Sequence, residues 1–169
     1  MGGKERIKHV VVTFNKNIIP VKLTINDIPQ IIEIYKFFWG NTGLYKYSLF
    51  KSIIEQNLSY AYKIGDDVIG FCLMENNPKE NNIEIVLLCI KREFQGFHFG
   101  NNLLTFCLNL CKNLNFNNFS LHVSITNKIA LRLYTKLGFK IEKLIKKYYH
   151  DECIENIKDN DAYYMTLHY

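Results

Sequence analysis

The chain has 169 residues, 48% hydrophobic, 14% aromatic and 22% charged. That is ordinary globular usage, which predicts one compact domain over residues 1–169 and excludes disorder, collagen-like and Pro-rich low-complexity architectures. Twenty-one basic against sixteen acidic residues leave a net charge of +5, a mild bias that suits an anionic ligand and lacks the concentrated stripe of a nucleic-acid binder.

Val10-Val11-Val12 and Val21-Lys22-Leu23 are β-branched runs separated by Asn15-Lys16-Asn17, which predicts two short strands and a turn. Thr24 or Asn26 then caps a helix with Asp27 in its first turn and Ile28, Ile31, Ile32, Tyr35 and Phe38 at helical spacing, ending near Gly40. A shorter helix carries Leu49, Ile53 and Ile54. Three strands follow in series: one from Ser59, one over Val68 to Met74 after the Gly65-Asp66 turn, and one over Ile83 to Ile90. After Gly100, residues Leu103, Leu104, Cys107, Leu108, Cys111 and Leu114 recur with a helical period. Phe119 to Val123 is a strand, Asn127 caps a helix through Ile129, Leu131, Leu133 and Tyr134 that Gly138 ends, and strands over Phe139 to Ile145 and Ala162 to His168 close the chain. The order β-α-α-β-β-β-α-β-α-β-β predicts an α/β fold, with a mixed central sheet flanked by helices.

The apolar runs are shorter than the about 20 residues of a membrane span. Met1-Gly2-Gly3-Lys4-Glu5-Arg6 contains no signal-peptide core, so a cytoplasmic address without a membrane partner is expected. Five cysteines form no CxxC pair and stand at no finger-like spacing to His, so neither a disulfide framework nor a metal is expected, and most are read as buried thiols.

In Glu84 to Gly100 a buried strand feeds a Gly-containing loop that opens onto a helix. Loop N–H groups and the helix dipole there suit a phosphate, although glycine before a helix also serves as a plain turn. Gln95-Gly96-Phe97-His98-Phe99-Gly100 resembles the Gln/Arg-x-x-Gly-x-Gly/Ala loop of the GNAT N-acetyltransferase superfamily, and Asn127, Ala130, Tyr134, Lys136, Gly138 and Phe139 resemble its N-x-x-A-x-x-x-Y-x-K-x-G-F signature. This resemblance implies a single GNAT domain with acetyl-CoA as cosubstrate. Gln95, Gly96, His98, Gly100, Asn101 and Asn127 would hold the coenzyme, the backbone of Leu88 and Ile90 its pantetheine arm, and the Tyr134 hydroxyl would meet its sulfur as a general acid. Taken alone, Tyr134 reads equally as a core aromatic. His98 replaces the loop's first glycine, at a strain cost if the backbone needs a positive φ.

For the amine, Glu84 stands where several family members keep a glutamate base; its alternative is a solvated strand carboxylate. His122 alternates with Leu121 and Val123 and so faces the other side of its strand. Leu121-His122-Val123 with Asn127 resembles protein N-terminal acetyltransferases in which that His helps deprotonate the amine; without the resemblance it reads as a structural histidine. Tyr148 and Tyr149, with Asp161-Ala162 downstream, resemble the NatE type of protein N-alpha-acetyltransferase catalytic subunit, whose loop tyrosines line the peptide channel. That type has a tyrosine where Glu84 stands, which shifts weight toward His122. Trp39, beside Phe38 and Tyr45, would line an acceptor site or simply pack. The acidic residues of the loop from His150 to Asn160 would attract a cationic amine or only solvate that loop. The implied partners are acetyl-CoA and an acceptor peptide, protein N-terminus or small amine, with room for an auxiliary subunit and no nucleic acid. A small-amine, amino-sugar or lysine acetyltransferase and a silent acyl-CoA-binding subunit stand as alternatives.

Overall fold

The structure is a computed structural model that describes residues 18–40, 46–149 and 160–169. The expected strand at Val10–Val12, Tyr45 and the acidic loop residues 150–159 lie outside the described residues. The elements are β1 (Val21–Lys22), a 3-10 turn (Ile25–Asp27), α1 (Ile28–Trp39), α2 (Tyr47–Glu55), β2 (Tyr60–Ile64), β3 (Asp67–Asn77), β4 (Asn82–Ile90), a 3-10 turn (Arg92–Phe94), α3 (Phe99–Asn113), β5 (Asn118–Ser124), α4 (Lys128–Lys136), β6 (Lys140–Ile145) and β7 (Ala162–His168). The strands form one seven-stranded sheet in the order β1-β2-β3-β4-β5-β7-β6. All its neighbours run antiparallel except β4 and β5, which are parallel. The mixed α/β sheet read from the sequence is therefore the observed architecture.

Two apolar layers cover the sheet. On one face α1 and α2 bury Ile28, Ile31, Phe50 and Ile53 against Phe71, Leu73, Leu87 and Cys89. On the other, α3 and α4 bury Leu103, Leu104, Cys107, Leu108 and Tyr134 against Cys72, Ile83, Ile85, Phe119, Leu121 and Met165. The four described cysteines are all buried. No described helix is long and apolar enough to cross a membrane.

Local chemistry accounts for the element ends. Thr24 opens the first 3-10 turn; its backbone N–H and its hydroxyl donate to Asp27 Oδ2 at 2.9 and 3.0 Å. Buried Asp27 also accepts from Lys63 Nζ on β2 at 2.6 Å. Burial alone would raise the Asp27 pKa, but the hydrogen bonds from Lys63 and Thr24 outweigh it and hold the carboxyl below its usual value. Gln30 on α1 accepts from Val68 N at 2.8 Å and donates to Asp66 O at 3.0 Å, pinning the β2–β3 hairpin to the helix.

Two expectations shift in detail. In α2 it is Phe50 that turns inward with Ile53 and Ile54, while Leu49 is exposed; the buried face is centred on these three, which leaves Leu49 at its margin. On α4, Ile129 faces solvent, because the inward stripe is set by Ala130, Leu131, Leu133 and Tyr134.

Candidate active site

The site begins where β4 and β5 part. Their parallel ladder pairs only Ile83, Glu84 and Ile85 with Phe119, Ser120 and Leu121, although β4 continues to Ile90 and β5 to Ser124. The same point carries a bulge: on the β3 side Leu73 faces Leu87 and Met74 faces Ile85, leaving Val86 as the extra residue. A bulge bends its strand and adds twist, which separates β4 from β5. It also reverses the alternation, so Ile83 and Ile85 share the α3/α4 face with Leu88 and Ile90, while Leu87 and Cys89 cross to the other. Leu88 and Ile90 thus lie on the stretch of β4 that pairs with β3 but not with β5, their side chains on the α3/α4 face.

One rim of the gap is the loop into α3. Gln95 Nε2 donates to Ile90 O at 2.9 Å, folding the loop back onto the strand end. Gly96 has φ +82° with no atom within 4 Å of the place a Cβ would occupy. His98 takes φ +64°, ψ +6° as the residue capping α3, so the left-handed conformation required there is met by an exposed non-glycine residue. Left-handed residues beside a helix start turn consecutive N–H groups outward, an arrangement suited to anions. A Cβ on Gly100 would meet only Ile90 Cγ1, at an ordinary 3.6 Å, so packing within the protein does not demand glycine. Asn101 follows in the first turn, its amide on Asn102 Oδ1 at 3.3 Å.

The other rim is α4. Asn127 Oδ1 caps it by accepting from Ala130 N at 3.1 Å. At its end Gly138, at φ +96°, lets Gly138 N reach Thr135 O and Phe139 N reach Tyr134 O, both at 3.0 Å. This is a Schellman turn, and the contact that accompanies it is the edge-on packing of Phe139 against Tyr134 with ring centroids 5.9 Å apart. The turn therefore fixes the Tyr134 ring. Burial pushes its hydroxyl well above the ordinary tyrosine range, and Cys72, Cys89 and Tyr149 add to the shift.

On the α1/α2 face the strand register brings the two expected bases together. Glu84 pairs with Ser120, and His122 lies two residues further along β5 on the same side. His122 Nδ1 stands 3.1 Å from Glu84 Oε1, with side-chain exposures of 19% and 36%. Tyr148 stacks on the imidazole at 4.4 Å and 11°, and Tyr149 lies edge-on to Tyr148 at 4.9 Å. Burial raises the pKa of both phenols; the Glu84 carboxylate adds to the shift of Tyr148, and Tyr148 adds to that of Tyr149. The tyrosine loop is tied to the start of β7: Lys147 N donates to Asp161 Oδ1 at 2.8 Å, and Tyr149 N to Asn160 O at 3.0 Å.

Two residues of this face escaped the sequence reading. Tyr164 pairs with His122 across β5 and β7 and places its ring 5.1 Å away. Lys143 pairs with Tyr164 across β7 and β6, with Nζ 5.0 Å over that ring. Only the insertion of β7 between β5 and β6 reveals either. Trp39, by contrast, stacks on Tyr35 at 5.0 Å and meets Phe38 at 5.6 Å; its described ring contacts are with its own helix, not with the His122 group.

With this geometry in place, known proteins add the family. The acetyltransferase (GNAT) family model matches residues 27–139. An uncharacterized N-acetyltransferase of Methanocaldococcus jannaschii is 33% identical over 96 residues, 56% of this chain and 60% of that protein. N-alpha-acetyltransferase 50 of Danio rerio is 28% identical over 109 residues, 62% of this chain and 65% of its own. These alignments span under two thirds of either relative. Arabidopsis thaliana Naa50, solved with the bisubstrate analogue CoA-Ac-MVNAL, superposes with a TM-score of 0.75 at 22% identity, covering 90% of this chain and 99% of that one. The chain belongs to the GNAT acetyltransferase family.

Proposed function

We propose that the chain is an acetyl-CoA-dependent N-acetyltransferase, working as one GNAT domain, that acetylates a protein N-terminal α-amine by direct transfer in a ternary complex. The observation that carries the reading is the Glu84–His122 hydrogen bond on the acceptor face, beside the gap between β4 and β5 and under the Tyr148 ring. With Nδ1–H donated to the carboxylate, Nε2 keeps its lone pair for the ammonium of the acceptor. This makes His122 the base and Glu84 the residue that orients it and stabilises the imidazolium.

The loop Gln95–Gly100, the start of α3 and Asn127 rim the gap where the coenzyme would lie, and a ligand would fill the space that Gly96 and Gly100 leave. Tyr134, its proton held by burial, would donate a hydrogen bond to the departing thiolate. The backbone of Leu88 and Ile90, on the stretch of β4 that β5 does not pair, would offer hydrogen-bonding groups to the pantetheine amides and the acetyl carbonyl. Tyr148 and Tyr149 would flank the acceptor chain, as the similarity to an enzyme solved with a peptide-based analogue supports.

Release of CoA thiol measured over N-terminal peptides, internal-lysine peptides and small amines tests the reading. Turnover of the N-terminal peptides is expected. Turnover confined to glucosamine phosphate or a polyamine would replace the acceptor with a small amine, and coenzyme binding without any turnover would make the chain a silent subunit.

A further inference from the structure

The acceptor face is electrically polar along a line that crosses the strands. Glu84 on β4, His122 on β5, Tyr164 on β7 and Lys143 on β6 share one side of the sheet, each linked to the next through pairing or contact. A carboxylate stands at one end and an ammonium at the other. Neighbouring strands are about 4.8 Å apart, so Lys143 lies about 10 Å from His122 along the sheet. Lys143 forms no ion pair among the described residues; its Nζ sits over the Tyr164 ring. Its strand neighbour Glu142 accepts from Thr166 Oγ1 at 2.9 Å on the same side of the sheet and forms no ion pair with Lys143.

The surroundings strengthen the positive end. Residues 128–147 hold seven basic side chains (Lys128, Arg132, Lys136, Lys140, Lys143, Lys146 and Lys147) against the single acid Glu142, a surplus larger than the +5 of the whole chain. All seven are exposed. Three of them, Lys128, Arg132 and Lys136, lie on α4, which covers the other face of the sheet; Lys140 and Lys143 on β6 and Lys146 and Lys147 just after it supply the positive charge at the β6 end of the line.

We infer that Lys143 selects acceptors carrying a carboxylate near the reacting amine, specifically an acidic side chain at the third residue of an N-terminal peptide. This rests on the reading of the site as an acceptor for protein N-termini. With the amine at His122, an extended chain places the side chains of residues 1 and 3 on the same side and about 6.6 Å apart along the backbone. An Asp or Glu at residue 3 then reaches toward Lys143, while residue 2 points away. A free amino acid cannot bridge the line, because its carboxylate lies within a few ångströms of its amine.

The test compares kcat/KM for peptides that differ only at residue 3 (Asp, Ala or Lys), on the wild-type chain, Lys143→Met and Lys143→Glu, each variant normalised to its own Ala peptide. Wild type is expected to favour Asp over Ala by about fivefold at low salt, the upper end for an exposed ion pair, and to lose most of that preference at high salt. Lys143→Met flattens the preference and Lys143→Glu inverts it toward Lys. Turnover of all three peptides with the same ratios in wild type and Lys143→Glu overturns this inference alone. Absence of turnover on any N-terminal peptide overturns the acceptor class and the inference with it.

Discussion

His98→Gly separates backbone strain from side-chain function in the loop between β4 and α3. His98 has φ +64°, and a left-handed conformation costs an L-residue about 1–2 kcal/mol. Its side chain is exposed, so removing the imidazole forfeits no buried contact. Glycine returns part of the gain through its more flexible unfolded chain, about 0.5–1 kcal/mol. The net is a stabilisation of about 0.5–1 kcal/mol, which for a chain of this size raises Tm by about 1–4 °C. Gly96→Ala supplies the mirror image: at φ +82° with open space around the new methyl, it adds strain without a clash and lowers Tm by a similar amount. Calorimetric melts of both variants, with acetyl-CoA titrated against each, give the readout. Backbone N–H groups carry the expected coenzyme contact, so His98→Gly should bind within about threefold of wild type, a conservative bound given that one hydrogen bond is worth about 1 kcal/mol. A fall in Tm on His98→Gly would refute the left-handed assignment, and a tenfold loss of affinity would move the contact to the imidazole.

His122→Ala should lower kcat by about 10²–10⁴-fold, the usual contribution of a positioned base, and Glu84→Gln by less because it keeps a hydrogen-bonding side chain; equal losses, measured by CoA release, would return Glu84 to the role of direct base. Gly138→Ala forces a Cβ at φ +96° to within 3.3 Å of Leu167 Cδ1; it should cost about 1–2 kcal/mol from the backbone conformation and lower kcat through a displaced Tyr134, and a melt unchanged from wild type would contradict the Schellman turn. The folded-state pKa of Asp27 is lowered, so its contribution to stability is complete above the unfolded value of 3.8 and disappears as pH falls through the lower folded value. Asp27→Asn should therefore destabilise the chain at pH 7 and flatten its urea midpoint between pH 5 and the acid limit, as denaturation across that range would show. Burial pushes the Cys111 thiol up to about 12 and raises that of Cys89, while a hydrogen bond with Cys72, and burial after it, raises that of Cys107, so these three should resist a thiol reagent at pH 8 until the chain is unfolded.

Much of the fold was legible because local signals and the final packing agree. The helical stripe Leu103, Leu104, Cys107, Leu108 and Cys111 is the buried face of α3, and Gly138 ends α4 as its place after the last apolar residue suggests. His122 was assigned to the side opposite Leu121 and Val123 by alternation alone, and it lies there. Alternation failed at two of the sheet's three described bulges, those in β4 and β6. Read straight through β4, Ile83, Ile85, Leu87 and Cys89 would share a face; Val86 breaks the series, and that same residue marks where the gap between β4 and β5 opens. In β6 the pairing slips between Ile141 and Lys143. An uninterrupted strand starting from Ile141, which is exposed but pairs with Met165, would put Lys143 on the Met165 side of the sheet too. The slip at Glu142 brings it instead beside Tyr164 on the acceptor face.

Both irregularities therefore do what no residue type announces. One opens a wedge between parallel strands, and the other turns a cation toward the mouth of the site. The ends of the polar line differ for the same reason. The Glu84–His122 end rests on the regular parallel pairing of residues 83–85 with 119–121, so motif and alternation suffice to find it. The Lys143 end depends on a strand inserted out of sequence order and on a bulge that alternation cannot anticipate. The pair proposed for proton transfer sits on the regular part of the sheet, and the contact inferred to discriminate acceptors sits on the irregular edge strand. An insertion or deletion of one residue there re-aims a side chain without disturbing the Glu84–His122 pair, so under the proposed roles acceptor preference can change while the proton-transfer geometry stays fixed.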